Sequence, residues 1–148
     1  MIDPKLYTIG FSGKNAQTFF SILKDAHVNR VLDVRLFNTS QLAGYTRRPD
    51  LAYFLREIAG IDYQHRQDLA PTKEILQAYK KGSMDWSAYE NCYADLLVGR
   101  QVEANISTDL LINACLLCSE PTAEKCHRRL AAEYLLMKLG NFRIVHLL

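Results

Sequence analysis

DLLINACLLC, residues 109–118, is the most apolar run in the chain. It is too short to span a bilayer, and it lacks the polar alternation of a strand with one wet face. Such a run predicts a central strand of a parallel sheet, covered on both sides. Parallel neighbours need crossover connections, so helices must alternate with the remaining strands.

The rest of the chain supplies that alternation. KLYTIGFS (5–12) and RVLDVRLF (30–37) read as strands, with NAQTFFSILKDAH between them bringing Phe19, Phe20, Leu23 and Ala26 round at helical spacing. Pro49 suits the first turn of a further helix carrying Leu51, Phe54, Leu55 and Ile58, and Gly60 suits its cap. IDYQHR (61–66) reads as a third strand, followed by helices over about 72–81 and 85–98. A helix over about 122–139 ends at Gly140, and FRIVHLL (142–148) closes the sheet. The expected fold is α/β: an open, mainly parallel sheet of about five strands with helices on both faces.

With 148 residues, 49% of them hydrophobic, the chain suits one globular domain over 1–148. A net charge of +2 is too small to mark a nucleic-acid binder by bulk electrostatics, so any basic patch must be local. MIDPKLYTIG has neither the basic nor the apolar region of a secretory signal, and no stretch is long enough for a membrane span. A cytoplasmic protein with no membrane partner is expected. In that compartment Cys92, Cys115, Cys118 and Cys126 read as free thiols, metal ligands or a reactive residue rather than as disulfides.

Ligands of open α/β sheets sit outside the carboxyl ends of the strands. Ser12, Asp33, Arg35, His65, Arg66, Cys118 and Glu120 all fall at such ends, and Cys126, His127 and Arg128 follow in LLCSEPTAEKCHRR. Cys118, between a strand and a helix opened by Pro121, has the setting of an exposed activated thiol. Cys115 is expected to pack as a small hydrophobe, and Cys126 to be partly structural. Asp33 and Arg35 point to one strand face, which permits an ion pair or a shared ligand. His65 and His127 are candidate proton carriers, and Asp33 or Glu120 could orient a base. A zinc ion on Cys118, Cys126 and His127 is the competing chemistry. Cys115 and Cys118 cannot both serve it, because a strand sends i and i+3 to opposite sides. No cofactor is required by the thiol reading.

The loop LFNTSQLAGYTRR (36–48) is long for a compact domain and suits a site cover. Its Asn38, Ser40 and Gln41 could read polar ligand edges, and Tyr45, Arg47 and Arg48 could stack on a base or hold phosphate. Trp86, Tyr89 and Tyr93 share a helical face and read as core or a dimer contact.

TIGFS, VLDVR, the Tyr63 and His65 of DYQHR, and LLCSE ahead of CHRR resemble the bacterial family catalogued as domain of unknown function 488. The resemblance runs over nearly the whole chain, in a branch marked by NTSQLAGY that lacks the commoner proline and arginine after DVR. It implies a compact α/β domain with one pocket built from Ser12, Asp33, Arg35, Tyr63, His65, Cys118, Glu120, Cys126, His127 and Arg128, and it brings no known reaction. Together these readings point to an enzyme-like domain. Its catalytic candidates are Cys118, His127, His65, Asp33 and Glu120. Ser12, Arg35, Ser40, Gln41, Tyr63 and Arg128 would hold an anionic small molecule or nucleic-acid segment. A non-catalytic nucleic-acid or protein binding module is the alternative.

Overall fold

The computed structural model describes residues 3–39 and 44–148. Ser40 and Gln41, expected to contact ligand, lie outside the described residues.

Five parallel strands form one sheet: β1 (Lys5–Gly10), β2 (Arg30–Asp33), β3 (Asp62–His65), β4 (Ala114–Cys118) and β5 (Arg143–His146), in the spatial order β3-β2-β4-β1-β5. The apolar run thus supplies the central strand, as expected. Alternation sorts its side chains. Ala114, Leu116 and Cys118 join one core, and Cys115 and Leu117 join the other. Cys115 is therefore behind the sheet from Cys118, and its burial pushes its thiol well up.

Helix α1 (Ala16–Asp25) starts at Asn15, whose side chain accepts the Thr18 N–H. It buries Phe19, Phe20 and Leu23 against one face. On the same face lie α2 (Arg48–Phe54) and the π-helical turn Leu55–Ala59 that continues it, closed by Gly60 at φ 64°. The opposite face carries α3 (Lys73–Lys80), α4 (Trp86–Arg100) and α6 (His127–Leu139). Among the described residues, no helix is long and apolar enough to cross a membrane.

The sequence reading needs correction at three places. Residues 109–111 are not strand but belong to a short helix, α5 (Thr108–Leu111). Ser107 caps it by accepting the Leu110 N–H, and Asn113 at φ 61° turns the chain into β4. The strand expected over 30–37 stops at Asp33, because the Arg35 N–H turns back to the Asp33 carboxylate. Finally, Pro121 does not open a helix: α6 begins at His127, with Cys126 extended at its N-cap (φ −140°, ψ 138°).

Candidate functional site

Site construction begins where β1 and β4 end side by side, with Gly10 opposite Cys118. The chains stay paired for another step through Phe11 N–H to the Cys118 carbonyl (3.2 Å) and Ser12 N–H to the Ser119 carbonyl (3.0 Å). The Glu120 carbonyl then folds over Gly10, where a Cβ would lie 1.5 Å from the oxygen. Only glycine leaves that space. Arg128 holds the same carbonyl from the other side with Nη1 at 2.7 Å. This clamp turns residues 121–125 back and delivers Cys126 and His127 beneath Cys118.

Cys126 makes no side-chain bond to cap α6. Its sulfur lies instead within 4.8 Å of the Cys118 sulfur. The neighbouring Cys126 thiol holds the Cys118 thiol below its ordinary range; burial opposes it, while the Ser119 N–H and the Arg128 charge assist. The Cys118 sulfur, together with burial, pushes Cys126 well up. The two shifts run in opposite directions, so Cys118 is the easier of the pair to deprotonate.

His127 Nε2 lies 2.7 Å from the Val34 carbonyl, which can only accept, so this nitrogen carries a proton. Nδ1 of the neutral ring is left as the basic nitrogen. Cys118 Sγ is 3.7 Å from both ring nitrogens, astride the ring rather than in line with either. The ring is braced by the edge of Tyr93, with centroids 5.5 Å apart.

Cys118, Cys126 and His127 line a pocket of about 480 Å³ at this end of the sheet. Cys118 is only 6% exposed, so the expected exposed thiol is in fact a buried one at the pocket wall. Ser12, Arg35 and Glu120 line the same space, in agreement with their strand-end positions. Sequence reasoning missed its other walls: Phe11, Tyr79 and Lys80, together with Lys125 from the turn. Trp86 and Tyr89, read as core or a dimer contact, also border the pocket. Their rings stack at 5.1 Å and 16°. Tyr93, below them, is core as expected. The Trp86–Tyr89 spacing was visible in the sequence, but only the packing of α3 against α4 shows that one end of the stripe is open.

The remaining candidates do not reach the pocket. Asp33 is fully buried and saturated: it accepts Arg35 Nε at 2.9 Å, Arg35 Nη2 at 2.8 Å, Tyr63 Oη at 2.6 Å and Asn38 Nδ2 at 3.3 Å. It holds Arg35, whose guanidinium also lies 5.4 Å from the Phe11 ring centroid and bonds the Thr46 carbonyl at 2.7 Å. Tyr63 and His65 border a separate open groove of about 730 Å³ with Arg48 and Arg66. There His65 Nε2–H donates to the Arg35 carbonyl at 2.9 Å.

Arg128 is completely buried behind the cysteines. Its Nε donates to Thr8 Oγ1 at 3.3 Å, and that hydroxyl also pairs with His146 Nδ1 at 2.6 Å. Nη2 has no hydrogen-bond partner among the described residues. Burial and the Arg128 charge both lower the His146 pKa.

Cys118, Cys126 and His127 also suit a metal. Their ligand atoms all lie within 4.8 Å of one another. Zinc bonded at about 2.0–2.3 Å in a tetrahedron needs edges of about 3.5–3.8 Å, and the Sγ to Nδ1 separation is 3.7 Å. The Val34 bond would then orient the histidine from behind, as outer-shell acceptors do.

The fold and site define a class: a parallel α/β domain with a two-cysteine, one-histidine cluster at the carboxyl edge of its central strand. The family model described as "Domain of unknown function DUF488" matches residues 15–135, and the chain belongs to that family. No curated protein and no solved structure matches it.

Proposed function

We propose that this domain is a thiol-dependent enzyme acting on an anionic small molecule with an aromatic ring, of nucleotide size and character. The observation that carries the reading is the Cys118 sulfur on the pocket wall, 3.7 Å from the His127 ring nitrogens and within 4.8 Å of the Cys126 sulfur. The neighbouring Cys126 thiol and the Arg128 charge favour negative charge on that sulfur and prepare a nucleophile. The His127 Nδ1 beside it is positioned to move a proton.

The walls supply the substrate class. Trp86 and Tyr79 put aromatic rings on the wall for a planar ring to pack against, and a volume of about 480 Å³ suits a mononucleotide-sized ligand. Lys80, Lys125 and Arg35 outnumber Glu120 among the charged lining residues. Arg35 is already paired with Asp33, so the lysines carry most of the attraction for an anion.

Competitive alkylation of metal-free protein by iodoacetamide tests the nucleophile. Cys118 should react faster than the more accessible Cys92, and Cys118→Ser should remove the fast phase. Slower labelling at Cys118 than at Cys92 rejects the reading.

A second reading rests on the 4.8 Å grouping of the three ligand atoms. In it, zinc on Cys118, Cys126 and His127 keeps an open position toward the pocket and acts as a Lewis acid, or organises a binding module. Stoichiometric zinc in the purified protein, lost on Cys126→Ser substitution, is its expected signature.

A further inference from the structure

We infer that Cys126 is a resolving thiol, and that the Cys118–Cys126 pair reduces an anionic disulfide by two electrons while closing into a disulfide of its own. This rests on the thiol reading of Cys118 and on the anionic character of the ligand, not on its aromatic ring, and adds a reaction.

Among the four cysteines, only Cys126 is placed for this role. Cys115 projects through the opposite face of the sheet, and Cys92 lies on α4 outside the pocket. The Cys126 and Cys118 sulfurs lie within 4.8 Å of each other. Cys126 sits at an extended N-cap after a turn and makes no capping bond that a covalent bond would break. A helix starting at Pro121 would have locked that residue in its interior. The sulfurs must approach to about 2 Å, and the connecting segment that must adjust is the turn over 121–125. Both cysteines line the pocket, so a disulfide held there meets both in succession.

The reaction balances as follows. The Cys118 thiolate attacks one sulfur of R–S–S–R′, forming Cys118–S–S–R and releasing R′–S⁻. Cys126 gives its proton to His127 Nδ1, and its sulfur attacks Cys118 Sγ. A Cys118–Cys126 disulfide forms, R–S⁻ leaves, and the histidine proton passes to a departing thiolate. The substrate gains two electrons and the cysteine pair loses two. Return to the dithiol consumes two equivalents of an external thiol, or one dithiol, which leave as a disulfide. Lys80 and Lys125 at the pocket favour carboxylate-bearing disulfides over cationic ones.

The test uses the full chain, reduced and chelator-treated, with glutathione disulfide as the anionic probe and cystamine as the cationic one, read by intact-protein and peptide mass spectrometry. Wild type should end as the Cys118–Cys126 disulfide without retained glutathione. Cys126→Ser should accumulate a stable glutathione adduct on Cys118, and Cys118→Ser should form neither product. Cys126→Ala serves as the second trapping variant if the serine form is unstable. Cystamine should react about tenfold more slowly at low salt, given the local positive field.

A lasting glutathione adduct on wild type overturns the resolving role while leaving Cys118 a nucleophile. Absence of any adduct in both Cys126 variants overturns the nucleophile as well. Equal rates with the two probes overturn the anionic substrate class. Zinc in the isolated protein, with cysteines that react only after chelation, overturns the inference in favour of the metal reading.

Discussion

Asp33 shows how a residue that looks catalytic can be committed to structure. Burial alone would raise its pKa, but the hydrogen bonds and charge of Arg35, with the Tyr63 hydroxyl, outweigh that and hold it below the ordinary carboxylate range. A depressed folded pKa contributes stability that is complete above the unfolded value of about 3.9 and is lost as pH falls through the folded value. Asp33→Asn should therefore cost about 3–5 kcal/mol at neutral pH, since it leaves the Arg35 cation buried without its partner. The gap to wild type should narrow below about pH 4. Urea midpoints measured between neutral and acidic pH check both; a gap independent of pH would mean that the carboxylate charge is not what stabilises. Tyr63→Phe removes one hydrogen bond to the same carboxylate and should cost about 1 kcal/mol. The spacing of Asp33 and Arg35 made their pairing legible in VLDVR. The Tyr63 and Asn38 contacts were not legible, because they depend on how β3 and the following loop meet β2. The same tertiary contacts separate His65 from Cys118, although both end parallel strands.

Elements followed the sequence where periodicity was long, and departed from it where short polar groups decide. Alternation between strand and helix patterns was enough to anticipate a parallel sheet with β4 inside it. Periodicity could not divide DLLINACLLC, since a short apolar segment suits a helical turn as well as a strand. The deciding signals were the Ser107 cap and the left-handed Asn113. The late start of α6 has a comparable cause: the Gly10, Glu120 and Arg128 clamp fixes the turn before the helix. Gly10→Ala should displace the Glu120 carbonyl and cost about 1–3 kcal/mol, the range for forced overpacking. Its urea midpoint should fall, and Cys118 alkylation should change with it. An unchanged midpoint and unchanged alkylation would show that the turn is not held there. One residue before the wall residue Trp86, Asp85 caps α4 by accepting the Ala88 N–H at 2.8 Å. Asp85→Ala should cost about 1 kcal/mol and speed amide exchange in the first turn of α4.

At the scale of the whole molecule, the pocket exists only because distant segments converge on the end of the sheet. The loop after β1 gives Phe11 and Ser12, the segment after β2 gives Arg35, and α3 and α4 give Tyr79, Lys80 and Trp86. Cys118, Ser119, Glu120, Lys125, Cys126 and His127 complete it. Trp86 is the sole tryptophan of the chain, so intrinsic fluorescence reports on this wall directly. A ring stacked on Trp86 should quench it, and an attached phosphate should meet Lys80 and Lys125, both exposed to solvent at their residues. Attraction by exposed lysines is screened as the Debye length shrinks from about 10 Å at 0.1 M salt to about 3 Å at 1 M. A nucleoside monophosphate should therefore quench Trp86 saturably and bind more weakly as salt rises. The uncharged nucleoside should bind less tightly and respond little to salt. Lys125→Gln should weaken the nucleotide by about twofold to fivefold, the effect of an exposed charge pair worth up to about 1 kcal/mol. Equal affinities for nucleoside and nucleotide would remove the anion from the proposed substrate. Quenching that never saturates would remove the ring, and with it the reason for an aromatic wall facing a thiol.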